Sequence, residues 1–367
     1  MTSLYIHIPF CARKCAYCDF VSFPGREKQW AAYLLALEEE MKAAARAYGR
    51  LPLQTIFIGG GTPSLLDSDA VSHLLAMCRA LFAPDPQAEI TVECNPGTLS
   101  PEKLRDYRWA GVNRISLGMQ AAQPRLLHTL GRIHNQGQVI QAVEWARQAG
   151  FDNINLDLMY ALPGQSMADW VETLKAALSL SPQHLSLYSL ILEPGTPLAA
   201  QVEAGALTLP GEDACLAMEH GAQRILARRG YARYEISNYA QPGRECRHNM
   251  TYWTRGDYLG LGLAAHSFMG GARLRNTSDL EAYLAGRWTA ERQVIPPQEA
   301  WEEAVMLGTR LTQGIDMALL QQCPETVDQL TELGLAETVQ GRFRLTTKGM
   351  DVQNAVVLEL IRHPPAH

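Results

Sequence analysis

Cys11, Cys15 and Cys18 stand within eight residues of one another in the stretch YIHIPFCARKCAYCDF, and Phe20 occupies the place where a fourth cysteine could have come. Thiolates this close, in a loop that follows an apolar alternating run, can converge on one soft metal centre. Zinc wants four ligands and typically a second Cys or His pair, which the neighbouring sequence does not offer. A disulfide with a spare thiol is the other alternative. An iron-sulfur cluster is commonly held by four cysteines, and a four-iron cluster on three thiolates leaves one iron open to an exchangeable ligand.

Further side chains with usable chemistry fall at the ends of β-rich runs. FIGGGTP puts Gly59, Gly60, Gly61 and Thr62 after a strand, where bare backbone can approach a small charged ligand. Glu93 lies in VECNPG, Gln120 ends SLGMQ, Arg132 lies in LGRIHN and Asp157 in NLDLMYALPGQ. An amide, a guanidinium and carboxylates on successive units offer a fork for a ligand carboxylate and acceptors for hydroxyls. If these ends gather at one buried mouth, an uncompensated carboxylate is costly, so a ribose hydroxyl or ammonium partner is expected.

The elements that must position them read as a regular alternation. Strand patterns cover 4–8, 55–59, 89–94, 114–118, 153–158 and 184–190, with helical patterns at 27–49, 67–82, 101–110, 136–149 and 167–180 between them. Strand-helix alternation with short turns implies parallel strands and right-handed crossovers. An open doubly wound sheet and a barrel share this pattern. The unusual residues all follow the carboxyl ends of their strands, which favours a barrel, here a three-quarter one. We expect a barrel over 1–210, an extension over 211–289 and a small winged-helix-like domain over 290–367, with Pro324 as a helix breaker and a hairpin turn around Gly341.

At 367 residues and 47% hydrophobic the chain can build a large core. No apolar run approaches the roughly 18 to 20 residues of a membrane span, and no leader pattern opens the sequence, so a cytoplasmic location is expected. The other cysteines, Cys78, Cys94, Cys215, Cys246 and Cys323, are scattered, which fits reduced thiols. A net charge of -6 argues against nucleic acid as a partner, with a local basic face around Arg342, Arg344 and Lys348 given low weight.

The cysteine spacing, with the aromatic Tyr17 just before the last cysteine, resembles the radical S-adenosylmethionine (SAM) superfamily. The resemblance implies a 4Fe-4S cluster on Cys11, Cys15 and Cys18, its open iron taken by the amino and carboxylate groups of SAM, whose cleavage gives a 5'-deoxyadenosyl radical. YIHIPFC, GGGTP, SLGMQ and DLMYALPGQ, in that order, look like the oxygen-independent coproporphyrinogen III oxidase group over nearly the whole chain. That resemblance implies an α/β fold, a partial (β/α)6 radical-SAM barrel with a C-terminal, mainly helical, winged-helix-like domain. It also implies SAM contacts by Tyr5, Tyr17, Gly60, Gly61, Thr62, Glu93, Gln120, Arg132 and Asp157.

Two departures from the oxidase, Phe20 in place of a further cysteine and a start that reaches His7 almost at once, point to the sister haem-chaperone branch. Its His-Asn-x-x-Tyr-Trp motif stands here as HNMTYW, so the resemblance implies haem contact by His248, Asn249, Tyr252 and Trp253, with Cys246 as an alternative ligand. Cys323-Pro324 fits a helix end as well as a haem-responsive pair. The implied function is to bind haem and transfer it to a haem-requiring acceptor protein. Radical decarboxylation of coproporphyrinogen III and a radical enzyme on another substrate are the alternatives, and peripheral membrane association through the acceptor and a homodimer are left open.

Overall fold

In the computed structural model, which describes residues 2–362, the first strand shows how the sheet is built. Along β1 (Thr2–Ile8), Leu4, Ile6 and Ile8 are fully buried on one side, while Ser3, Tyr5 and His7 face the other. The same division recurs on β2 (Pro52–Gly60), β3 (Ala83–Cys94), β4 (Arg114–Gln120), β5 (Ile154–Tyr160) and β6 (His184–Ser189). These six strands are parallel and lie side by side in chain order.

Helices cover the apolar side: α1 (Trp30–Tyr48), α2 (Ser68–Leu81), α3 (Pro101–Trp109), the short α4 (Pro124–Thr129), α5 (Gln136–Gln148) and α6 (Met167–Ser179). Tyr33, Leu37 and Met41 on α1 and Val71, Leu74 and Cys78 on α2 recur at helical spacing and enter one core with the strands. Burying each such side chain stabilises the fold by about 1.5–3 kcal/mol. Capping boxes start α5 (Asn135 with Gln138) and α6 (Ser166 with Asp169), satisfying backbone donors that would otherwise be orphaned.

The opposite side of the strands lines a polar interior. Asn155 donates to Ser116 and to Asp157, both at 2.8 Å, His184 meets Asn155 at 2.6 Å, and Ser186 donates to Asn155. Buried polar groups persist there because they satisfy one another. Arg114, 2% exposed, lies among them near the carboxylates of Glu89 and Asp157.

The segment after β6 extends this sheet at both edges and does not close it. Following α7 (Pro197–Glu203) and α8 (Glu212–Ala227), β7 (Ala232–Glu235) and β8 (Asn238–Ala240) form a hairpin whose second strand runs antiparallel to β6. After α9 (Arg247–Trp253), β9 (Tyr258–Leu261) pairs in parallel with the free edge of β1. Then β10 (His266–Met269), β11 (Ala272–Asn276) and β12 (Thr289–Val294) continue outward to make a 12-stranded sheet. Strand β12 crosses the division expected at 290. Its residues are all exposed, so it carries no apolar alternation that a sequence reading could detect.

Beyond it, helices Pro297–Gly308 and Pro324–Glu332, the hairpin Ala336–Val339 with Arg342–Leu345, and the final helix Gln353–Ile361 enclose a separate core of Trp301, Val305, Val327, Leu330, Phe343 and Leu345. Ile315–Asp316 adds a third strand, giving the helix and wing order of a winged helix. Pro324 opens a helix and does not break one, because its fixed φ and missing N–H suit the first helical position. The wing's cations are used internally: Arg344 pairs with Glu337, Arg342 donates to the carbonyls of Gln313 and Gly314, and Lys348 to that of Leu333.

The C-terminal unit is pinned to the sheet by Glu303, 8% exposed, which accepts from Arg255 at 2.8 Å and from Arg273 at 2.5 Å. Glu303→Ala would leave both guanidiniums without their partner. We expect a loss of about 2 kcal/mol in urea unfolding, below the roughly 3–5 kcal/mol of a fully buried broken pair because both arginines are partly exposed, and faster proteolysis between β12 and the winged unit.

Candidate functional site

The cysteine loop leaves β1 at Pro9 and is fastened on every side by main-chain bonds. Phe10 and Cys11 pair with Phe23 and Pro24, and Phe23 N–H donates to Pro9 C=O at 2.8 Å. Gly61 N–H donates to Ile8 C=O and Thr62 N–H to Phe10 C=O, each at 2.8 Å. At the tip, Ala16 N–H donates to Leu130 C=O, and Leu198 N–H, in the first turn of α7, donates to Ala16 C=O, each at 2.9 Å. His7 meets Val21 C=O through Nε2 at 3.0 Å.

The three thiols are free and half-buried. Burial pushes the Cys18 thiol up, and the neighbouring Cys15 and Cys11 push it further. Three thiolates in one loop therefore call for a cation to neutralise them. Among the described residues no group of three or more His, Cys, Asp or Glu side chains is gathered closely enough to hold a single metal ion. The glycine turn is shaped for something larger: a Cβ on Gly61 would lie 2.5 Å from Phe10 O and 3.0 Å from Cys11 Sγ, and one on Gly60, at φ +113°, would strike the His7 ring at 2.5 Å. Bare backbone here keeps the space beside Cys11 open, which fits a cluster.

Cys11, Cys15 and Cys18 share a cavity of about 410 Å³ with most of the other residues singled out from the sequence. Tyr17, Gly60, Gly61 and Thr62 line its cysteine side; Glu93, Gln120, Arg132 and Asp157 line the strand-end side. Glu93 accepts from Gly60 N–H at 2.9 Å. Burial, with the negative Asp157 nearby, lifts its carboxyl from 4.5 to about 7. Asp157 accepts from Asn155 and from Ser116, and is raised above its ordinary value by burial in spite of them. Gln120 sits at φ 63°, where the register between β4 and β5 skips between Gly118 and Gln120. This irregularity re-aims a glutamine into the cavity, as bulges beside functional sites do. Arg132 donates to Gly118 C=O at 2.9 Å and to Cys15 Sγ at 3.6 Å.

Two of the expected contacts lie outside this cavity. Tyr5 does not line the cavity; its hydroxyl meets His7 Nδ1 at 3.0 Å beneath it, because β1 turns Tyr5 toward the middle of the barrel. The HNMTYW segment lies at the far end of the strands, with His248 buried and Asn249, Tyr252 and Trp253 half-buried. Glu89 accepts from the backbone N–H groups of Arg247 and His248, seating α9 under the barrel. His248 is 1% exposed, with Nδ1 on Thr55 at 2.7 Å and Nε2 on Tyr252 at 2.8 Å, so both ring nitrogens are hydrogen-bonded within the fold. Helical i, i+4 spacing explains this, since it turns His248 and Tyr252 inward together. Trp253 carries Arg310 over its face, Asn249 is only half-buried on α9, and Cys246 bonds Glu89. The sequence reading passed over Ser116, Asn155 and Tyr188; period-2 alternation from Arg114, Asp157 and His184 would have pointed them inward.

Because the folded protein holds the Glu93 proton that the unfolded chain releases, this group's contribution to stability is full below pH 4.5 and is lost as pH rises through about 7. Urea unfolding of the cluster-free protein at a series of pH values should show a decline of about 2–3 kcal/mol across that window, and Glu93→Gln should flatten it. An equal slope in both proteins would mean that Glu93 titrates normally.

Residues 5–177 match the model of the Radical SAM superfamily, and residues 295–352 that of the HemN C-terminal domain. A Bacillus subtilis protein named "Heme chaperone HemW" is 37% identical over 97% of this chain and 98% of its own length. The Escherichia coli K12 protein of the same name is 40% identical over 92% of this chain and 87% of its own. Among solved structures, coproporphyrinogen III oxidase (HemN) from Escherichia coli, a radical SAM enzyme, superposes with a TM-score of 0.85 at 24% identity, covering 98% of this chain and 89% of that one. The barrel, the cysteine loop and full-length similarity at this level show that the chain belongs to the HemW family of the radical SAM superfamily.

Proposed function

We propose that this protein binds haem and hands it to a haem-requiring acceptor protein, while carrying a four-iron cluster on Cys11, Cys15 and Cys18 and SAM in the same cavity. The observation that carries this reading is the 37% identity, over 97% of the chain, to a protein named a haem chaperone. When bound, a reduced cluster of this type supplies an electron to the sulfonium of SAM. The chain's part is to hold and orient: the three thiolates ligate, Glu93 and Asp157 offer acceptors to ammonium and hydroxyl groups, and Gln120 and Arg132 offer donors.

Haem is a flat apolar plate with carboxylates on one edge, so it needs apolar faces and cations. The cavity mouth supplies both. Phe20 and Tyr188, 60% and 41% exposed, stand there with Arg13 and Lys14, and Lys14 is held over the loop by its bond to Phe20 C=O. With His248 committed to the barrel floor, the mouth is the better haem surface. Phe20 is also the position at which the resemblance to the oxidase calls for a cysteine.

Anaerobically reconstituted protein offered haem and coproporphyrinogen III together should develop a Soret band and form no protoporphyrinogen, and the band should decay on addition of a haem-free acceptor. Combining Phe20→Ser with Arg13→Glu should weaken haem binding about tenfold, or ~1.4 kcal/mol. His248→Ala should lower the unfolding midpoint and keep the band; loss of the band in a folded His248→Ala protein would return the ligand to that segment. Protoporphyrinogen formation would overturn the chaperone reading in favour of radical decarboxylation, which the likeness of fold to the oxidase keeps as the second reading.

A further inference from the structure

We propose that Arg132 sets the reduction potential of the cluster by donating an N–H···S hydrogen bond to the ligating thiolate of Cys15. The inference rests on the reading of Cys15 as a cluster ligand and assigns a role distinct from SAM contact.

Nη1 lies 3.6 Å from Cys15 Sγ, while Nη2 donates to Gly118 C=O at 2.9 Å, so the guanidinium is held at two points. Gly118 is what lets it in: a Cβ there would lie 2.7 Å from Nη2. Two residues before Arg132, Leu130 C=O accepts from Ala16 N–H, the residue next to Cys15. The turn Leu130–Gly131–Arg132 therefore grips the cysteine loop through backbone and side chain together. Gly131, at φ +70°, approaches so closely that a Cβ would stand 3.2 Å from Ala16 N. Nε is buried with no hydrogen-bond partner among the described residues, a donor left over for a ligand in the cavity.

Two residues further along the chain, buried His134 contributes no second cation. Burial and the Arg132 charge push it down to about 4, and it meets Met119 C=O through Nε2 at 3.2 Å. Arg132 thus stands as a fixed positive donor against one thiolate. Hydrogen bonds to cluster sulfurs and nearby positive charge stabilise the more negative, reduced state, so they raise the potential.

The test is a redox titration of reconstituted protein, monitored by electron paramagnetic resonance and run without SAM so that contact with that ligand does not enter. At equal iron and sulfide content, Arg132→Gln should lower the ratio of reduced to oxidised cluster at a fixed potential about tenfold, which for a one-electron couple is 59 mV. Arg132→Lys, which keeps the charge and loses the fork, should recover part of the shift. Gly118→Ala, whose Cβ would displace Nη2 at 2.7 Å and Gln120 Nε2 at 2.8 Å and meets no atom of the cysteine loop, should move the potential in the same direction and serves if the Arg132 variants fail to assemble. Unchanged potentials in Arg132→Gln and Gly118→Ala, with full cluster content, would overturn the proposal. Failure of the parent protein to take up iron and sulfide would instead overturn the cluster reading on which it stands.

Discussion

Everything at the functional end of this molecule depends on one close approach of backbones, that of the glycine turn to the cysteine loop. Gly61 and Thr62 donate to Ile8 and Phe10, and the absence of side chains on Gly60 and Gly61 lets the two segments touch without filling the space beside Cys11. A hydrogen-bonded contact of this kind converts a flexible run of three cysteines into a fixed half-cage. The remaining fastenings, His7 on Val21 and Leu130 with Leu198 on Ala16, hold the same loop from its other sides. Their cost in ordering entropy is met by the packed barrel beneath, which positions all the anchoring atoms before any ligand arrives.

That barrel is unusual in having a charged and polar lumen. Its inward residues form a connected chain from the floor, where Glu89 seats α9, through Cys246, Tyr234, His184, Asn155 and Ser116 to Asp157, with Glu93 close by at the cavity. A dry interior makes each unmet charge expensive, and the chain meets most of them with neighbours. Glu93 and Asp157 remain only partly compensated, which is why their carboxyls are raised; a positively charged or hydroxyl-bearing ligand would complete what the protein leaves unfinished. The HNMTYW segment joins the floor end of this chain. Its histidine spends both ring nitrogens on Thr55 and Tyr252, and its Phe57 and Tyr252 contacts close the floor with aromatic surface.

The C-terminal unit has its own core and meets the barrel through Glu303, through Arg310 on Glu235 and through Trp253 under Arg310. Because Trp253 ends α9, the helix that floors the barrel also carries the contact to the winged unit. The wing cations are spent on carbonyls and on Glu337, so the basic cluster visible in the sequence is a set of internal ties.

Local signals were enough for the element pattern and for the cavity. The alternation of β-rich and helical runs and the position of every unusual residue after a strand are properties of neighbouring residues, and they led to six parallel strands and to a mouth holding Cys11, Gly60, Glu93, Gln120, Arg132 and Asp157. Strand β12 escaped because an edge strand exposed on both faces has no burial to imprint on its sequence. What the sequence could not decide was which way a polar side chain points once helices and strands from distant segments meet. Tyr5 and His248 carry the right chemistry for a ligand and lie near the right motifs, yet each turns to a partner, His7 or Thr55, supplied by the packed fold. Arg132 shows the converse. Its reach to Cys15, 117 positions away, exists only because Gly118 leaves room for it, a coincidence of three segments that no single stretch of sequence contains.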